Sequence, residues 1–435
     1  MSDKPTLICC KTVIAKGAPK KANTGAAHGA PLGADEVAAT RENIGWKYPP
    51  FEIPEDIYAG WNARARGAKL EAQWNSKLAA YAEKHSEAAV EFKRRMSGEL
   101  PARWRAHVSA LLEKVTGKPE AIATRKASQN PIEGIAPALP DLIGGSADLA
   151  GSTSLAIKNG GDVAAGSWGA RNVHFGIREH GMGAILNGLA LHGGMRPLGS
   201  TFLIFSDYMR PPIRLAAMTH LPVIYVYTHD SIGLGEDGPT HQPIEQLAGL
   251  RAVPNLIVMR PADPAETVEA WRAAMLRQDG PVALVLTRQK VAALDRTRYA
   301  PANGLRLGGY VLADAPGGKP KVLLIATGSE VELAIGAYER LVADGIAARV
   351  VSMPSMELFA RQPIEYRNAV LPPSVGARLA IEAAAPQPWY RWVGDRGAVL
   401  GIERFGASAP YQRIYQELGL TVENVVRRAK ELLTA

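Results

Sequence analysis

Cysteine is nearly absent: Cys9 and Cys10, adjacent in the run TLICCKTVIA, are the only two. Neighbouring thiols cannot staple distant segments, so packing must hold the fold, and a reducing compartment, the cytoplasm, is the expected setting. Long apolar runs are missing too. No stretch approaches the roughly 18 apolar residues of a membrane helix, and MSDKPTLICCKTVIAKG has no apolar stretch leading to a small-residue cleavage site. No membrane partner is expected. There is no His-x-x-x-His and no zinc-type cysteine spacing, so a zinc site on the histidines is not expected. GGSADLAGS and GLGEDG match neither a Walker loop nor a G-x-G-x-x-G turn, so nucleotide binding has no support.

What is present is apolar material in quantity. With 47% hydrophobic and 21% charged residues over 435 positions, the chain can fill about three cores of ordinary domain size. The net charge of +8 is spread along the chain, and Lys93-Arg94-Arg95 sits in a helical stretch among glutamates. That distribution argues against a nucleic-acid partner and suits an enzyme drawing anionic substrates into a positive cleft.

Residues 1–40 read as a short strand in TLICCKTVIA, a loop, and a turn-rich HGAPLGADE that caps a helix starting near Asp35. A lone strand and loop cannot bury their apolar faces, so this piece reads as the remnant of a larger domain. Residues 41–120 show helical periodicity and read as a helical connector. Over 121–300 the strands DLIGGSADL, VHFGI, LPVIYVYTHD, LIVMRPA and VALVLTRQ alternate with helices, the pattern of an α/β fold with a parallel sheet. After the Gly/Pro-rich DAPGGKP, 301–435 repeats the alternation in a smaller α/β domain, with KVLLIATGSE, ARVVSMPS, ARLAIEA and AVLGIE as strands.

Several residues in these segments can carry chemistry. Strand VHFGI runs into Arg178-Glu179-His180, which places Glu179 at the carboxyl edge of a parallel sheet, where ligands usually sit. A carboxylate between a favouring helix N-terminus and opposing desolvation suits proton transfer; a plain helix-capping glutamate gives the same pattern. Phe202, Phe205 and Tyr208 recur every third residue and share a helix face until Pro211 and Pro212 kink or restart it; such a face packs a core or walls a planar ring. VIYVYTHD ends in His229 and Asp230, and the Gly-rich loop beyond it carries Asp237 and His241, a set able to bind hydroxyls and share protons. Arg125 and Arg288 lie at element edges with guanidiniums shaped to grip a phosphate, and Ser152 can add a hydroxyl; each is equally read as a surface or capping residue.

Taken together, HGAPLG, RKASQN, GGSADLA, FGIREHGM, THDSIGLGEDGPTHQP, DGP and IATGSEVELA stand in the order seen in transketolases, and the chain resembles that family over essentially its whole length. The resemblance implies thiamine diphosphate and Mg²⁺ as cofactors. It implies that Glu179 hydrogen-bonds the aminopyrimidine ring and drives the imino form that takes the proton from the thiazolium carbon. Phe205, with Phe202 beside it, matches the aromatic wall around the pyrimidine, and His28 a histidine touching cofactor and substrate. Arg125, Ser152, His229 and Arg288 match the grip on the sugar phosphate. Asp237 matches the residue reading a hydroxyl beside the new bond, and His241 a histidine at the reacting carbon. The implied reaction moves a two-carbon glycolaldehyde unit from a ketose phosphate such as xylulose 5-phosphate to ribose 5-phosphate or erythrose 4-phosphate.

Family members open with a full diphosphate-binding domain, and this chain is expected to start near that domain's end, as a truncated or mis-started product, with the Mg²⁺ ligands on the missing segment. Gly161-Asp162-Val163 with Asn187 is rejected as a substitute magnesium site. The expected partners are sugar phosphates and either a second copy or a chain supplying the diphosphate domain. The competing expectations are an inactive fragment that only dimerises, a dihydroxyacetone synthase, or a deoxyxylulose phosphate synthase.

Overall fold

The computed structural model describes residues 6–434, which fall into two compact units divided between Ser86 and Glu87. In the first unit, TLICCKTVIA does not form the expected strand: residues 6–13 are irregular, with Leu7 87% exposed. A single strand needs a partner for its amide groups, and no strand forms among the described residues of this unit to supply one. The helix expected near Asp35 is present as Ala34–Asn43. Its first turn carries Asp35 and Glu36, where the helix dipole favours acids. Glu36 also accepts the backbone N–H groups of Lys20 (2.7 Å) and Lys21 (2.9 Å), pinning the preceding loop. Helices Glu55–Trp61 and Arg64–Lys84 complete this unit.

The second unit holds two α/β layers. The first is a fully parallel six-stranded sheet built from β1 (Leu142–Ser146), β2 (Asn172–His174), β3 (Arg196–Phe202), β4 (Ile224–Thr228), β5 (Ile257–Met259) and β6 (Val282–Leu286). The strand order is β2-β1-β3-β4-β6-β5. The second sheet contains β7 (Tyr310–Ala313), β8 (Val322–Ala326), β9 (Ala348–Ser352), β10 (Arg378–Ile381) and β11 (Ala398–Leu400). Its order is β11-β10-β8-β9-β7, with only β7 antiparallel to its neighbour. The expected α/β class with a parallel sheet and a smaller second domain is therefore what forms.

Two strands escaped the sequence reading. β3, central in the first sheet, is spelled RPLGSTF, and its Pro, Gly, Ser and Thr resemble loop residues. Gly199 is small for a packing reason: a Cβ there would lie 2.5 Å from Leu186 on the helix Glu179–His192. Ser200 is buried and satisfied by Thr153, hydroxyl to hydroxyl at 2.9 Å. β7 is a four-residue edge strand, too short to show a period.

Charged residues tie the first sheet to the helix before it. Asp141, buried below β1, accepts from Arg94 Nη2 at 2.8 Å and Arg196 Nε at 3.1 Å. Arg94 and Arg95 both pair with Glu91, so this part of the basic cluster is bound within the fold. Asp162 pairs with His174 at 3.0 Å while Asn187 donates to the Pro212 carbonyl, so those two residues do not share a site.

Candidate active site

Parallel strands aim their carboxyl ends the same way, so the loops leaving β1, β2, β3, β4 and β6 gather at one edge of the first sheet. Glu179 follows β2 as the first residue of the helix Glu179–His192 and is 7% exposed. It lines a cleft of about 580 Å³ with Phe202, Phe205, Tyr208 and His241, closed on the β1 side by Ala147, Asp148 and Leu149 and on the β2 side by Ile177.

The aromatic spacing works through tighter geometry than an α-helix. Leu203–Met209 is a 3₁₀ helix, in which residues three apart eclipse one another, and Pro211 and Pro212 open the α-helix Arg210–Met218 in its first turn. Phe202 and Phe205 therefore stack nearly parallel, 5.7 Å apart at 9°, and Phe205 and Tyr208 lie 6.1 Å apart. His241 stands edge-on to both phenyl rings, at 6.1 Å from Phe202 and 5.7 Å from Phe205. Its Nδ1 lies 2.9 Å from the Thr240 hydroxyl. Phe205 is half-buried and open to the cleft, so the aromatic face is both core and wall.

His229 follows β4 directly and stacks on Phe202, ring centroids 3.6 Å apart. Its Nδ1 lies 2.9 Å from the Thr228 hydroxyl. Burial first, and then the positive fields of Arg125 and Arg288, push its imidazole down to about 3, so the ring is neutral at physiological pH. It can donate or accept one hydrogen bond but brings no charge.

The charge beside it comes from two arginines held side by side. Thr124 N–H donates to Thr287 Oγ1 at 2.9 Å and Thr287 N–H to Thr124 Oγ1 at 2.7 Å, a reciprocal pair joining the start of the helix Thr124–Ile135 to the end of β6. The next residues on each side are Arg125 and Arg288. Burial, and then the like charge of Arg288, lower the basicity of Arg125, while Asp237 partly restores it. Arg125 Nη1 donates to the Ser152 carbonyl, and Arg125 Nε has no hydrogen-bond partner among the described residues. Two neighbouring cations with spare donors make a corner suited to an anion.

The structure thus brings Arg125, Ser152, Glu179, Phe202, Phe205, His229, Asp237, His241 and Arg288 to one sheet edge. His28 belongs to the other unit, where it is exposed and caps the short 3₁₀ turn Gly25–Ala27. Asp148, Leu149 and Ile177 were not foreseen as lining residues. GGSADLA and FGIRE were the signal, since the first begins within β1, the second directly follows β2, and both lie at the sheet's carboxyl edge.

Three stretches of the chain match domains of known proteins. Residues 120–293 match the pyrimidine binding domain of transketolase, residues 308–421 the transketolase-like C-terminal domain, and residues 1–101 the thiamine diphosphate binding domain of transketolase. The last match corrects the expectation that most of that domain is lacking. It also removes the support for Mg²⁺ ligands on a missing segment and for a separate chain supplying the domain. The expectation rested on residues 1–40 reading as a lone strand and loop, whereas the matched residues run on through the helices Ala34–Asn43, Glu55–Trp61 and Arg64–Lys84. Transketolase 1 of Escherichia coli K12 is 52% identical over 433 residues, which cover 100% of this chain and 65% of the relative. A transketolase from Pichia stipitis, in complex with sedoheptulose 7-phosphate, superposes with a TM-score of 0.89 at 38% identity, covering 99% of this chain and 63% of that one. One from Leishmania mexicana gives a TM-score of 0.86 at 40% identity, covering 97% and 61%. The chain therefore spans about two thirds of its curated relatives' length, a little under. With three family domains matched in order and identity near one half along its whole length, the chain belongs to the transketolase family.

Proposed function

We propose that this chain carries out, or forms the greater part of an enzyme that carries out, transfer of a two-carbon ketol unit between sugar phosphates. The observation behind this reading is the convergence, at one sheet edge, of a buried carboxylate, an aromatic cleft and a two-arginine corner. The fit to the thiamine cofactor rests on the cleft: it is walled by Phe205 and Tyr208, has a carboxylate at Glu179, and at about 580 Å³ has room for a pyrimidine ring with more to spare. Held there against Phe205 and Glu179, thiamine diphosphate would supply a carbon nucleophile and an electron sink for cleaving the bond beside a ketose carbonyl.

The chain's own residues then have distinct tasks. Glu179 holds or withdraws a proton at a ring nitrogen of the pyrimidine, and Phe202 and Phe205 exclude water from the ring face. Arg125 and Arg288 carry the charge that holds a substrate phosphate, with neutral His229 and Ser152 adding hydrogen bonds. Asp237 reads a sugar hydroxyl, and His241 moves a proton at the substrate oxygen on the reacting carbon. His28 is assigned contact with cofactor and substrate from the family resemblance alone. Among the described residues no three His, Cys, Asp or Glu side chains converge on a metal position, and no residue is assigned to Mg²⁺.

Mixing the purified chain with thiamine diphosphate, Mg²⁺, xylulose 5-phosphate and ribose 5-phosphate should yield sedoheptulose 7-phosphate. Absence of that product would overturn the reading that this chain carries out the transfer by itself, and a preference for formaldehyde as acceptor, as in a dihydroxyacetone synthase, would overturn the assignment. A second copy is the expected partner. Ile185 on one helix and Leu215 and Met218 on the next are about half exposed, and Tyr208 and Ile177 more so, an apolar face that self-association would cover. Light scattering should give twice the 46.5 kDa chain mass; a monomer at micromolar concentration would contradict it.

A further inference from the structure

Behind His229 lies a fully buried ionic cluster that none of the proposed steps uses. Asp230 Oδ2 accepts from Arg260 at both Nε (2.9 Å) and Nη2 (2.8 Å). Arg260, itself without exposure, leaves β5 and inserts into the turn after β8, where Nη1 donates to the Thr327 carbonyl at 2.9 Å and pairs with Glu330. The turn is shaped around it. Gly328 has φ +56°, and a Cβ there would lie 2.6 Å from the guanidinium carbon. Glu330 accepts from the Tyr415 hydroxyl at 2.8 Å; Glu382, 3.8 Å from Arg260, is clamped by Arg251 at 2.7 and 2.8 Å and by Trp389 at 2.7 Å.

Burying this many charges is costly, and a packed apolar cluster would stabilise the layer contact as well or better. The cluster's position points to another role. His229, the residue beside Asp230, has φ +58°, a left-handed backbone that is uncommon for a residue with a Cβ, although histidine takes it more readily than most. Its two neighbours are both fixed: Thr228 in the β4 ladder and Asp230 on Arg260.

We propose that Arg260 and Asp230 are positioning residues through which the second α/β layer holds the left-handed turn of backbone at His229, and so keeps its ring stacked on Phe202 beside Arg125 and Arg288. The C-terminal layer is then part of the catalytic apparatus, although none of these cluster residues faces the cleft. Only the kinetic consequence rests on the transketolase reading; the ring position stands apart from it.

Charge counting selects the test. Asp230, Glu330 and Glu382 stand against Arg260 and Arg251, three acids to two bases, so removing Asp230 leaves the cluster balanced rather than stripping a lone charge of its partner. In the full chain with isotope-labelled histidine, His229 assigned through His229→Gln, the wild-type ring signal is displaced upfield by the Phe202 face. Asp230→Ala should lose most of that displacement and Asp230→Asn, which keeps an acceptor for Arg260, only part. An unchanged signal in Asp230→Ala overturns the proposal. Should Asp230→Ala fail to fold, Asp230→Asn decides: partial loss supports the proposal and an unchanged signal overturns it. In the kinetic arm, Asp230→Ala should raise KM for phosphorylated substrates about tenfold while leaving a non-phosphorylated donor within twofold. A wild type inactive on every substrate would count against the functional reading and leave the ring measurement standing.

Discussion

Replacing Glu179 with Ala should lower kcat by about 100- to 10,000-fold, the usual worth of a placed proton-transfer group, while the protein stays folded. The two effects separate because the residue's structural share is small. As the first residue of its helix it gains from the dipole, an interaction worth roughly 0.3–1 kcal/mol, and no side-chain partner depends on it for capping. Glu179→Gln sharpens the result, since it keeps the shape and removes the acid. A glutamate that only capped the helix would tolerate Gln with near wild-type turnover; a proton-transfer carboxylate would not. Turnover within threefold of wild type in Glu179→Gln would return Glu179 to the capping role.

Arg125→Ala should raise KM for phosphorylated sugars about 10- to 100-fold, because a hydrogen bond to a charged group contributes roughly 1.5–3 kcal/mol. Removing Arg288 as well should cost more than either change alone, and kcat at saturation should move little, since the phosphate lies away from the reacting carbon. The burial-lowered basicity of Arg125 bears on the sign. Its guanidinium is held next to a second cation with no acceptor at Nε, so the free protein carries unfavourable electrostatics that an incoming phosphate relieves. A non-phosphorylated donor gains nothing there, and its KM should be unchanged in Arg125→Ala. Raised salt should weaken binding of the phosphorylated substrates in the wild type and much less in the double variant. Equal KM increases for phosphorylated and non-phosphorylated donors would refute the phosphate corner.

Much of this was legible because strand and loop chemistry is local. THD at the end of VIYVYTHD and TRQ at the end of VALVLTRQ place His229 and Arg288 at a sheet edge wherever the strands sit. The pairing of Arg125 with Arg288 was legible only through the family resemblance, since it depends on a reciprocal threonine contact between residues 163 positions apart. Arg260, inside LIVMRPA, gave no sign of its role, since its three acids come from distant segments and only the folded chain makes them neighbours. β3 was overlooked because its composition answers to a helix packed against Gly199 rather than to strand propensity. TLICCKTVIA misled in the other direction, reading as a strand where the described residues offer it no partner to pair with.

The most direct measurement follows the carbon atoms. Xylulose 5-phosphate labelled with ¹³C at C1 and C2, turned over with unlabelled ribose 5-phosphate, should deliver both labels together to C1 and C2 of sedoheptulose 7-phosphate, read by carbon NMR, and Glu179→Gln should abolish the transfer. Labels that stay in the donor, or that reach product without dependence on Glu179, would contradict the assignment of this sheet edge as the seat of two-carbon transfer.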